Sequence, residues 1–423
     1  MTRGLPSLAS ERLTDGAAGV TSVCSAHPMV IEAALLHGAR VGRRVLIEAT
    51  CNQVNQEGGY TGMTPADFRD FVETIATKVG FDPARVILGG DHLGPNPWKH
   101  LPAEEAMQRA RTMIDAYVRS GFTKLHLDAS MGCAGESAAL PDEVTAERAA
   151  RLAEVAEAAA GGGQAPVYVI GTEVPVPGGA QHALDSLSVT RPEAALRTVD
   201  AHRRAFKALG LENAFERAIG VVVQPGVEFA GAEVVAYQPD NARDLVASLA
   251  DMPGFVYEAH STDYQPAAAL DALVRDGFAV LKVGPWLTFA LREALYGLDA
   301  IAQVLRPVAS EESLPAAMEA LMLKEPEDWR RYYFGSAEEL RVQRHFSFSD
   351  RIRYYWARPQ ARAAVDRLFT RLGERVIPEP LVSQYLGALH SAVAEGSLPA
   401  RPRELAIAAV QRILDRYEAA CQR

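Results

Sequence analysis

The sequence predicts a closed (β/α)8 barrel, the TIM barrel, followed by a helical C-terminal extension. Eight short apolar runs alternate with segments of helical period between residues 21 and 284. Such alternation favours parallel strands joined by right-handed crossovers, and eight units match a closed barrel better than an open doubly wound sheet. No G-x-G-x-x-G motif follows the first run, which removes the main reason to prefer a dinucleotide-binding sheet.

The predicted strands are short apolar runs that end close to polar residues. They cover residues 21–25, 44–49, 85–90, 124–129, 167–171, 219–224, 255–259 and 279–284. The segments between them carry helix signals, as in "TPADFRDFVETIATKVG", where Thr64 suits the N-cap and Pro65 the first helical position. Asp67 completes a capping-box-like pattern in the same segment.

The character of the chain changes after the last barrel helix, which we expect in "LTFALREALYGLDAIAQVL". Beyond about Pro307 no strand-like alternation recurs, and Pro or Gly separates segments of helical period. These segments are 314–323, 336–344, 359–372, 380–394 and 403–421. We therefore expect a barrel over residues 1–306 and a helical extension over 307–423 that packs on it.

Composition and charge narrow the class of protein. With 423 residues, 48% of them hydrophobic, the chain can bury a large core. Its net charge of −10 argues against nucleic acid or an anionic membrane as partner, although a local basic pocket stays compatible with it. The N-terminus lacks the apolar segment of a secretory signal and no window has the length of a membrane span, so we expect a cytoplasmic protein.

Polar residues end or follow all eight predicted strands, at the place where a β/α barrel carries its functional groups. One polar residue at a strand end is commonly structural, but agreement among eight strands favours one shared site. The residues concerned are His27, Glu48, Asp91, His92, Asp128, Ser130, Glu173, Gln224, Glu258, His260, Asp263 and Lys282. Of these, we expect Asp91, Asp128 and Glu173 to act in catalysis.

Carboxylates and imidazoles buried together are costly unless they are paired, and a divalent cation satisfies several of them at once. We predict that Zn²⁺, or alternatively Mn²⁺, is bound by His92, His260 and Glu173, with an open position for a substrate. Gln224 is a further candidate ligand. Such a metal polarises a ketone for aldol cleavage, enolisation or epimerisation, while Asp91 moves a proton.

Lys282 has alternative roles. It is a candidate Schiff-base lysine, which would need no metal. A salt bridge, or a contact with a phosphate or carboxylate, explains a lysine at this position more simply. Together with His27, Glu48, Ser130, Glu258 and Asp263, it is predicted to line the substrate site.

Two further stretches are candidates for substrate recognition. The loop "CNQVNQEGGYTG" offers Asn52, Gln53 and Asn55 to sugar hydroxyls, with a solvated loop over the barrel rim as the alternative. In the extension, "FSFSDRIRYYW" predicts a helix capped by Ser349 and Asp350. Its first turns hold Arg351 and Arg353, which reach a phosphate or carboxylate if the extension folds back over the barrel mouth.

Several long strings resemble the GatZ/KbaZ family, the accessory subunit of tagatose-1,6-bisphosphate aldolase. They include "SAHPMVIEAAL", "VLIEATCNQVNQEGGYTGMTPADF", "GGDHLGPNPW", "KLHLDASM", "GTEVPVPGG", "EAHSTDYQ", "LKVGPWLTFALREAL" and "SDRIRYYW". The resemblance covers nearly the whole chain and implies a catalytic class II aldolase subunit as partner, in ketohexose catabolism. Members are also described as tagatose-6-phosphate kinases, but the chain has no Walker loop or sugar-kinase glycine signature.

The family is similar in turn to the zinc-dependent class II aldolases. That similarity implies proton transfer by Asp91 and zinc ligation by His92 and His260. It also implies that Asp128 and Ser130 match a strand-four Asp-x-Ser, and that Glu173, with the turn formed by Gly178 and Gly179, matches a strand-five Glu followed by Gly-Gly.

The departures from the class II pattern are as informative. Gln224 stands where those enzymes place another zinc histidine, "STDYQ" replaces their Gly-Gly-Ser-Gly phosphate loop, and "KVGPWLT" replaces their Asn-x-x-Thr. We therefore expect an altered metal site and no bisphosphate site.

Three functions stay open: support of an aldolase partner, a stand-alone metal-dependent ketose or uronate epimerase or retro-aldolase, and, least supported, a sugar kinase. In each case we expect a sugar or sugar phosphate as substrate and a homo-oligomer.

Overall fold

Eight parallel strands close into a barrel in the computed structural model, which describes residues 5, 8, 19–171 and 187–422. The strands are β1 Val20–Val23, β2 Val45–Thr50, β3 Val86–Leu93, β4 Lys124–Leu127, β5 Val167–Ile170, β6 Ala218–Val222, β7 Val256–Ala259 and β8 Phe278–Val283. β1 pairs with both β2 and β8, which closes the sheet. Each predicted run overlaps one of these strands, so the predicted barrel is confirmed.

Helices connect the strands in the order that the sequence predicts. They are α1 Pro28–Val41, α2 Pro65–Lys78, α3 Ala103–Arg119, α4 Asp142–Ala160, α5 Pro192–Ala208, α6 Glu212–Phe215, α7 Pro239–Ala247, α8 Ala267–Arg275 and α9 Pro285–Leu305. The capping box of α2 is present, with Thr64 and Asp67 each accepting the backbone N–H of the other. A short antiparallel ribbon, Glu228–Phe229 with Val234–Val235, follows β6.

The barrel interior is layered along the strands. A separate apolar cluster takes one or more residues from seven strands. Its strand members are Val20, Leu46, Ile87, Val167, Ile219, Val256, Ala279 and Val280. Because side chains alternate with a period of two, the residues two positions further along share the inward face. Three of those positions hold Glu48, Glu258 and Lys282, so the apolar floor is followed by a layer of charge.

Gly89 on β3 makes room for that charged layer. A Cβ atom added to this glycine would lie 2.7 Å from Cγ of Glu48, which is closer than real side chains approach. The glycine therefore lets the Glu48 side chain cross in front of β3 inside the barrel. Polar packing in the interior thus depends on a missing side chain as much as on the charged residues themselves.

The extension is helical, as predicted. Its helices are α10 Leu314–Lys324, α11 Ala337–Phe346, α12 Pro359–Leu372, α13 Glu379–Tyr385, α14 Gly387–Ala394 and α15 Pro402–Cys421. The predicted helix over 380–394 is broken at Leu386 into α13 and α14. The last helix, α15, packs against α1, α8 and α9, so the chain returns to the barrel.

One local prediction in the extension is wrong. Asp350 takes a left-handed backbone conformation, with φ of 45°, and its side chain caps no helix. The segment after it, Arg351–Tyr355, is a short 3-10 turn instead of the start of an α-helix.

Within the described ranges, no helix is long and apolar enough to cross a membrane.

Candidate metal centre and substrate cavity

One carboxylate and three imidazoles meet at the C-terminal mouth of the barrel. Asp91 and His92 come from the end of β3, His126 from β4 and His260 from the residue after β7. Each offers one ligand atom, and these atoms all lie within 4.8 Å of one another. Imidazole nitrogen and carboxylate oxygen are the ligands that Zn²⁺ and related metals prefer, so the residue set fits a divalent cation.

Each of the three imidazoles has an acceptor on one nitrogen. His92 Nδ1 lies 2.8 Å from Asp128 Oδ2, and His260 Nε2 lies 3.0 Å from Glu258 Oε1. His126 Nε2 lies 2.9 Å from the carbonyl oxygen of Gly171, which can only accept a hydrogen bond. Such outer acceptors fix the tautomer of a ligating histidine and leave its other nitrogen available to a metal.

The unprotonated Nδ1 of His126 already has two close neighbours. It lies 3.1 Å from Asp91 Oδ1 and accepts a hydrogen bond of 3.2 Å from the backbone N–H of His92. A cation bound to this nitrogen would replace that hydrogen bond. His92 and His260 are therefore the ligands that need least rearrangement.

Backbone strain is concentrated beside this cluster. His92 and Ser261, which follows His260, have φ of 48° and 53°, in the left-handed region that residues other than glycine seldom adopt. Such conformations cost on the order of 1–3 kcal/mol each and persist only where the surroundings hold them. The surroundings thus hold one candidate ligand, His92, and the residue next to another, His260, in conformations that the local sequence would not choose.

A network of buried ion pairs lies directly beneath the cluster. Lys124 Nζ is 2.7 Å from Glu48 Oε1 and 2.7 Å from Glu258 Oε2, and all three side chains are fully buried. Lys282 Nζ lies 2.5 Å from Asp91 Oδ1, 3.3 Å from Glu48 Oε2 and 3.6 Å from Glu258 Oε1. Because buried charges are tolerated only when paired, this network holds the floor of the site together.

The network also sets the protonation of its members. Burial would raise the pKa of Asp91, but the charges of Lys282 and His92 outweigh it and hold that pKa well below its ordinary value. Burial would lower the pKa of Lys282, but Asp91 and the other acidic groups raise it well above its ordinary value. Lys282 is therefore a charged partner of Asp91, which disfavours the Schiff-base alternative because that chemistry needs a neutral amine.

The histidines differ in their protonation. Burial lowers the pKa of His260 to about 3, so its ring is neutral at physiological pH and able to bind a metal. Burial would also lower the pKa of His92, but the carboxylates of Asp91 and Asp128 outweigh it and raise that pKa. A cation bound to the His92 ring would replace the ring proton whose positive charge Asp91 and Asp128 stabilise.

The cluster opens into a cavity of about 1040 Å³, which is ample for a hexose phosphate. Most of the predicted site residues line it. They are Asn52, Gln53, Asp91, His92, Asp128, Ser130, His260, Asp263, Lys282, Arg351 and Arg353. The extension thus contributes both of its predicted arginines to the same cavity as the candidate metal ligands.

Other predicted site residues lie elsewhere. Glu48 and Glu258 are in the ion-pair network under the cluster. The Nδ1 atom of His27 accepts the N–H two residues ahead and caps α1. Asn55 Oδ1 and Gln224 Oε1 each accept two backbone N–H groups of their own loops. Their roles in binding stay predictions.

Glu173, Gly178 and Gly179 lie outside the described residues.

Sequence reasoning missed His126 and Lys124, although it included their strand. The signal was present in "KLHLDA", where a period of two places Lys124, His126 and Asp128 on one face. Lys124 therefore points to the charged layer, and His126 points to the imidazole cluster above it.

The fold and the cluster define a TIM-barrel protein with a candidate divalent-metal centre at the mouth of its barrel. The chain belongs to the D-tagatose-1,6-bisphosphate aldolase subunit GatZ/KbaZ-like family, whose model matches residues 5–422. The resemblance seen in the sequence is thereby confirmed.

Two relatives and one solved structure illustrate the range of names in this family. The chain is 55% identical to the D-tagatose 6-phosphate 4-epimerase of Agrobacterium fabrum, over 99% of both chains. It is 50% identical to the D-tagatose-1,6-bisphosphate aldolase subunit GatZ of Salmonella enteritidis, over 95% of this chain and 96% of the relative. A crystal structure of a probable tagatose 6 phosphate kinase from Sinorhizobium meliloti is 57% identical and superposes with a TM-score of 0.90, over 95% of this chain and all of the other.

Proposed function

We propose that this protein is a divalent-metal-dependent epimerase of ketohexoses, acting by reversible cleavage of the C3–C4 bond, between the α and β carbons of the ketose carbonyl. The observation that carries the proposal is the group of Asp91, His92, His126 and His260 at the mouth of a sugar-sized cavity. The relative named D-tagatose 6-phosphate 4-epimerase supports epimerisation as the reaction. When bound there, Zn²⁺ or Mn²⁺ would polarise the ketose carbonyl and stabilise negative charge that develops on its oxygen.

The side chains of the cavity supply the remaining parts of a retro-aldol epimerisation. Asp91, ionised because Lys282 lies 2.5 Å away, would take the proton from the hydroxyl on C4 as the C3–C4 bond breaks. The aldehyde that forms would turn over and accept the same carbon on its other face, and the proton would return to O4. No atom is gained or lost, as epimerisation requires.

Other residues would hold the parts in place. Asp128 accepts a hydrogen bond from His92 and so orients its ring. Asn52 and Gln53 line the cavity beside the cluster and would contact sugar hydroxyls. Lys282 would keep Asp91 ionised and oriented instead of reacting with the carbonyl itself.

Metal analysis and turnover together test the proposal. Protein stripped with a chelator and reloaded with Zn²⁺ or Mn²⁺ would be mixed with D-tagatose, D-tagatose 6-phosphate or D-tagaturonate, and epimer formation followed by ¹³C NMR. We expect His92→Ala and His260→Ala to lose stoichiometric metal and at least about a hundredfold in turnover. His390→Ala, at a half-exposed histidine paired with Glu379 in the extension, should retain both. Wild-type protein that turns over equally well without metal would contradict the proposal.

A second candidate function is support of a catalytic class II aldolase subunit. It is favoured by the 50% identity to a protein named as an aldolase subunit. Analytical ultracentrifugation of this protein mixed with such an aldolase distinguishes the two, because a support role predicts a stable complex and raised aldolase activity even with His92→Ala. No complex and no raised aldolase activity with the wild-type protein would instead favour chemistry at the candidate metal centre.

A further inference from the structure

We propose that Arg351 and Arg353 form the binding site for the phosphate of the substrate, and that this substrate is a ketose monophosphate. The proposal rests on the proposed function for the identity of the sugar, but the binding of the anion does not depend on turnover. Both arginines belong to the C-terminal extension and line the cavity that holds the candidate metal ligands. A substrate bound by both ends would therefore span from the barrel to the extension.

The usual phosphate position of a β/α barrel is already occupied. In many such barrels, the loops after the last two strands and a nearby helix N-terminus bind phosphate through backbone N–H groups. Here the N–H groups of Gly284 and Trp286, at the start of α9, both donate to Asp263 Oδ1, at 3.0 Å and 2.7 Å. A carboxylate of the chain thus fills this position and would repel a phosphate from it.

The two arginines are held in place by partners that do not neutralise them. Arg353 donates to the carbonyl oxygens of Ser349 and Asp350 and to the Tyr354 hydroxyl, and its guanidinium lies 4.4 Å from the centre of the Tyr354 ring. Arg351 donates to the carbonyl oxygen of Asp328 and stacks over aromatic rings. Across the described part of the chain, neither guanidinium forms a salt bridge with a carboxylate.

The nearby carboxyl groups have other partners. Asp350 Oδ2 accepts the Thr288 hydroxyl at 2.5 Å, and burial raises the pKa of Asp350 to about 7. The Asp328 carboxylate lies 3.7 Å from the guanidinium of Arg358, which follows the turn Arg351–Tyr355 in the chain. The positive charge of Arg351 and Arg353 is therefore available to a ligand.

Two guanidinium groups match the chemistry of a phosphate monoester. Each presents a planar fork of N–H donors, and together they carry two positive charges against a dianion. The same groups would also accept a carboxylate, as in a uronate, but with one negative charge instead of two. Asp263 takes the other phosphate position, so the described residues offer a second phosphate no site of that type, which favours a monophosphate over a bisphosphate.

The polar loop after β2 completes this end of the cavity. The Tyr60 ring packs edge-on against Tyr354, with ring centres 5.1 Å apart, and Asn52 and Gln53 of the same loop face the cavity. The arginine-bearing turn is therefore fixed to the loop that we expect to contact sugar hydroxyls. This contact links the anion site to the sugar site through the packing of two tyrosines.

Calorimetric titration of intact protein tests the assignment. The probes are D-fructose 6-phosphate, D-fructose and D-tagaturonate, added to wild type, Arg351→Gln, Arg353→Gln and the control Arg367→Gln, whose side chain is exposed on α12. We expect each cavity variant to weaken phosphate-ester binding by about ten- to a hundredfold, as loss of a charge-assisted contact does. Binding of D-fructose and metal content should not change, circular dichroism should show that both cavity variants are folded at the assay temperature, and Arg367→Gln should match wild type.

Other outcomes would overturn the proposal. Unchanged phosphate-ester binding in both cavity variants would do so, as would equal weakening for D-fructose. Tighter wild-type binding of D-tagaturonate than of the phosphate ester would assign the arginines to a carboxylate instead. Arginine-dependent phosphate binding in a protein without epimerase activity would contradict the proposed function but support the anion site. Epimerase activity together with unchanged phosphate binding in both arginine variants would support the proposed function but contradict the anion site.

Discussion

Replacement of Lys124 by methionine tests the ion-pair network under the candidate metal centre. Methionine keeps a similar volume and an unbranched side chain, so the change removes mainly the charge. At 2.7 Å each, the two contacts of Lys124 with Glu48 and Glu258 correspond to roughly 6 kcal/mol apiece at an effective dielectric constant of about 20. Most of that is offset by the cost of removing the three charges from water.

The expected net loss follows from the carboxylates left behind. Breaking a buried ion pair from one side costs about 3–5 kcal/mol, because the remaining charge stays buried without its partner. We therefore expect Lys124→Met to lower the free energy of unfolding by about 3–5 kcal/mol, a large share of the roughly 5–15 kcal/mol that stabilises a typical domain. Urea unfolding followed by circular dichroism measures the loss.

A double variant separates charge from packing. Lys124→Met with Glu48→Gln removes one charge of each sign and leaves Glu258 and Asp91 paired with Lys282. If unpaired charge is the cause, the double variant should be more stable than Lys124→Met alone. The pairwise coupling energy between the two substitutions should then be at least about 1 kcal/mol. A single variant within 1 kcal/mol of wild type, or a double variant whose losses simply add, would refute the reasoning.

Two further predictions concern the extension and the barrel interior. Because burial raises the pKa of Asp350 to about 7 from 3.8, the folded state holds a proton that the unfolded state has lost between these values, so wild-type stability should fall as pH rises through that window. Asparagine tolerates the left-handed backbone, so Asp350→Asn should remove up to about 4 kcal/mol of this fall in stability. Urea unfolding at pH 4.5, 6 and 8 measures the fall, and a variant with the same pH profile as wild type would contradict the prediction. Gly89→Ala should cost about 1–3 kcal/mol because its Cβ would lie 2.7 Å from Glu48 Cγ, while the control Gly387→Ala, with no atom within 4 Å, should be neutral in the same assay.

Local patterns were sufficient to predict most of the fold. Strands such as β2 and β8 are recognisable because an apolar run ends at a change in polarity, and α2 because its capping box lies within four residues. Helix 359–372 was predicted to its last residue because Pro359 marks its start and Gly373 follows its end. Such signals depend on neighbours in the chain, which the sequence displays directly.

The candidate site was only partly predictable. His92 and His260 stand at strand ends, where the barrel rule applies. His126 lies inside β4 and was overlooked because it resembles a core position, although the period of two places it on the inward face. Asp350 was expected to cap a helix, yet its left-handed backbone and its bond to Thr288, 62 residues earlier, are set by packing against α9.

The sequence by itself determined the eight strands, the helices between them and the kinds of side chain at the strand ends, because each depends on periodicity and capping over a few residues. Only the tertiary structure decided which of those side chains meet. The imidazoles of His92, His126 and His260 converge because closure of the sheet brings β3, β4 and β7 to one mouth. Arg353 reaches that mouth because the extension folds back over the barrel, and contacts between residues so far apart in the chain depend on the packing of the whole molecule.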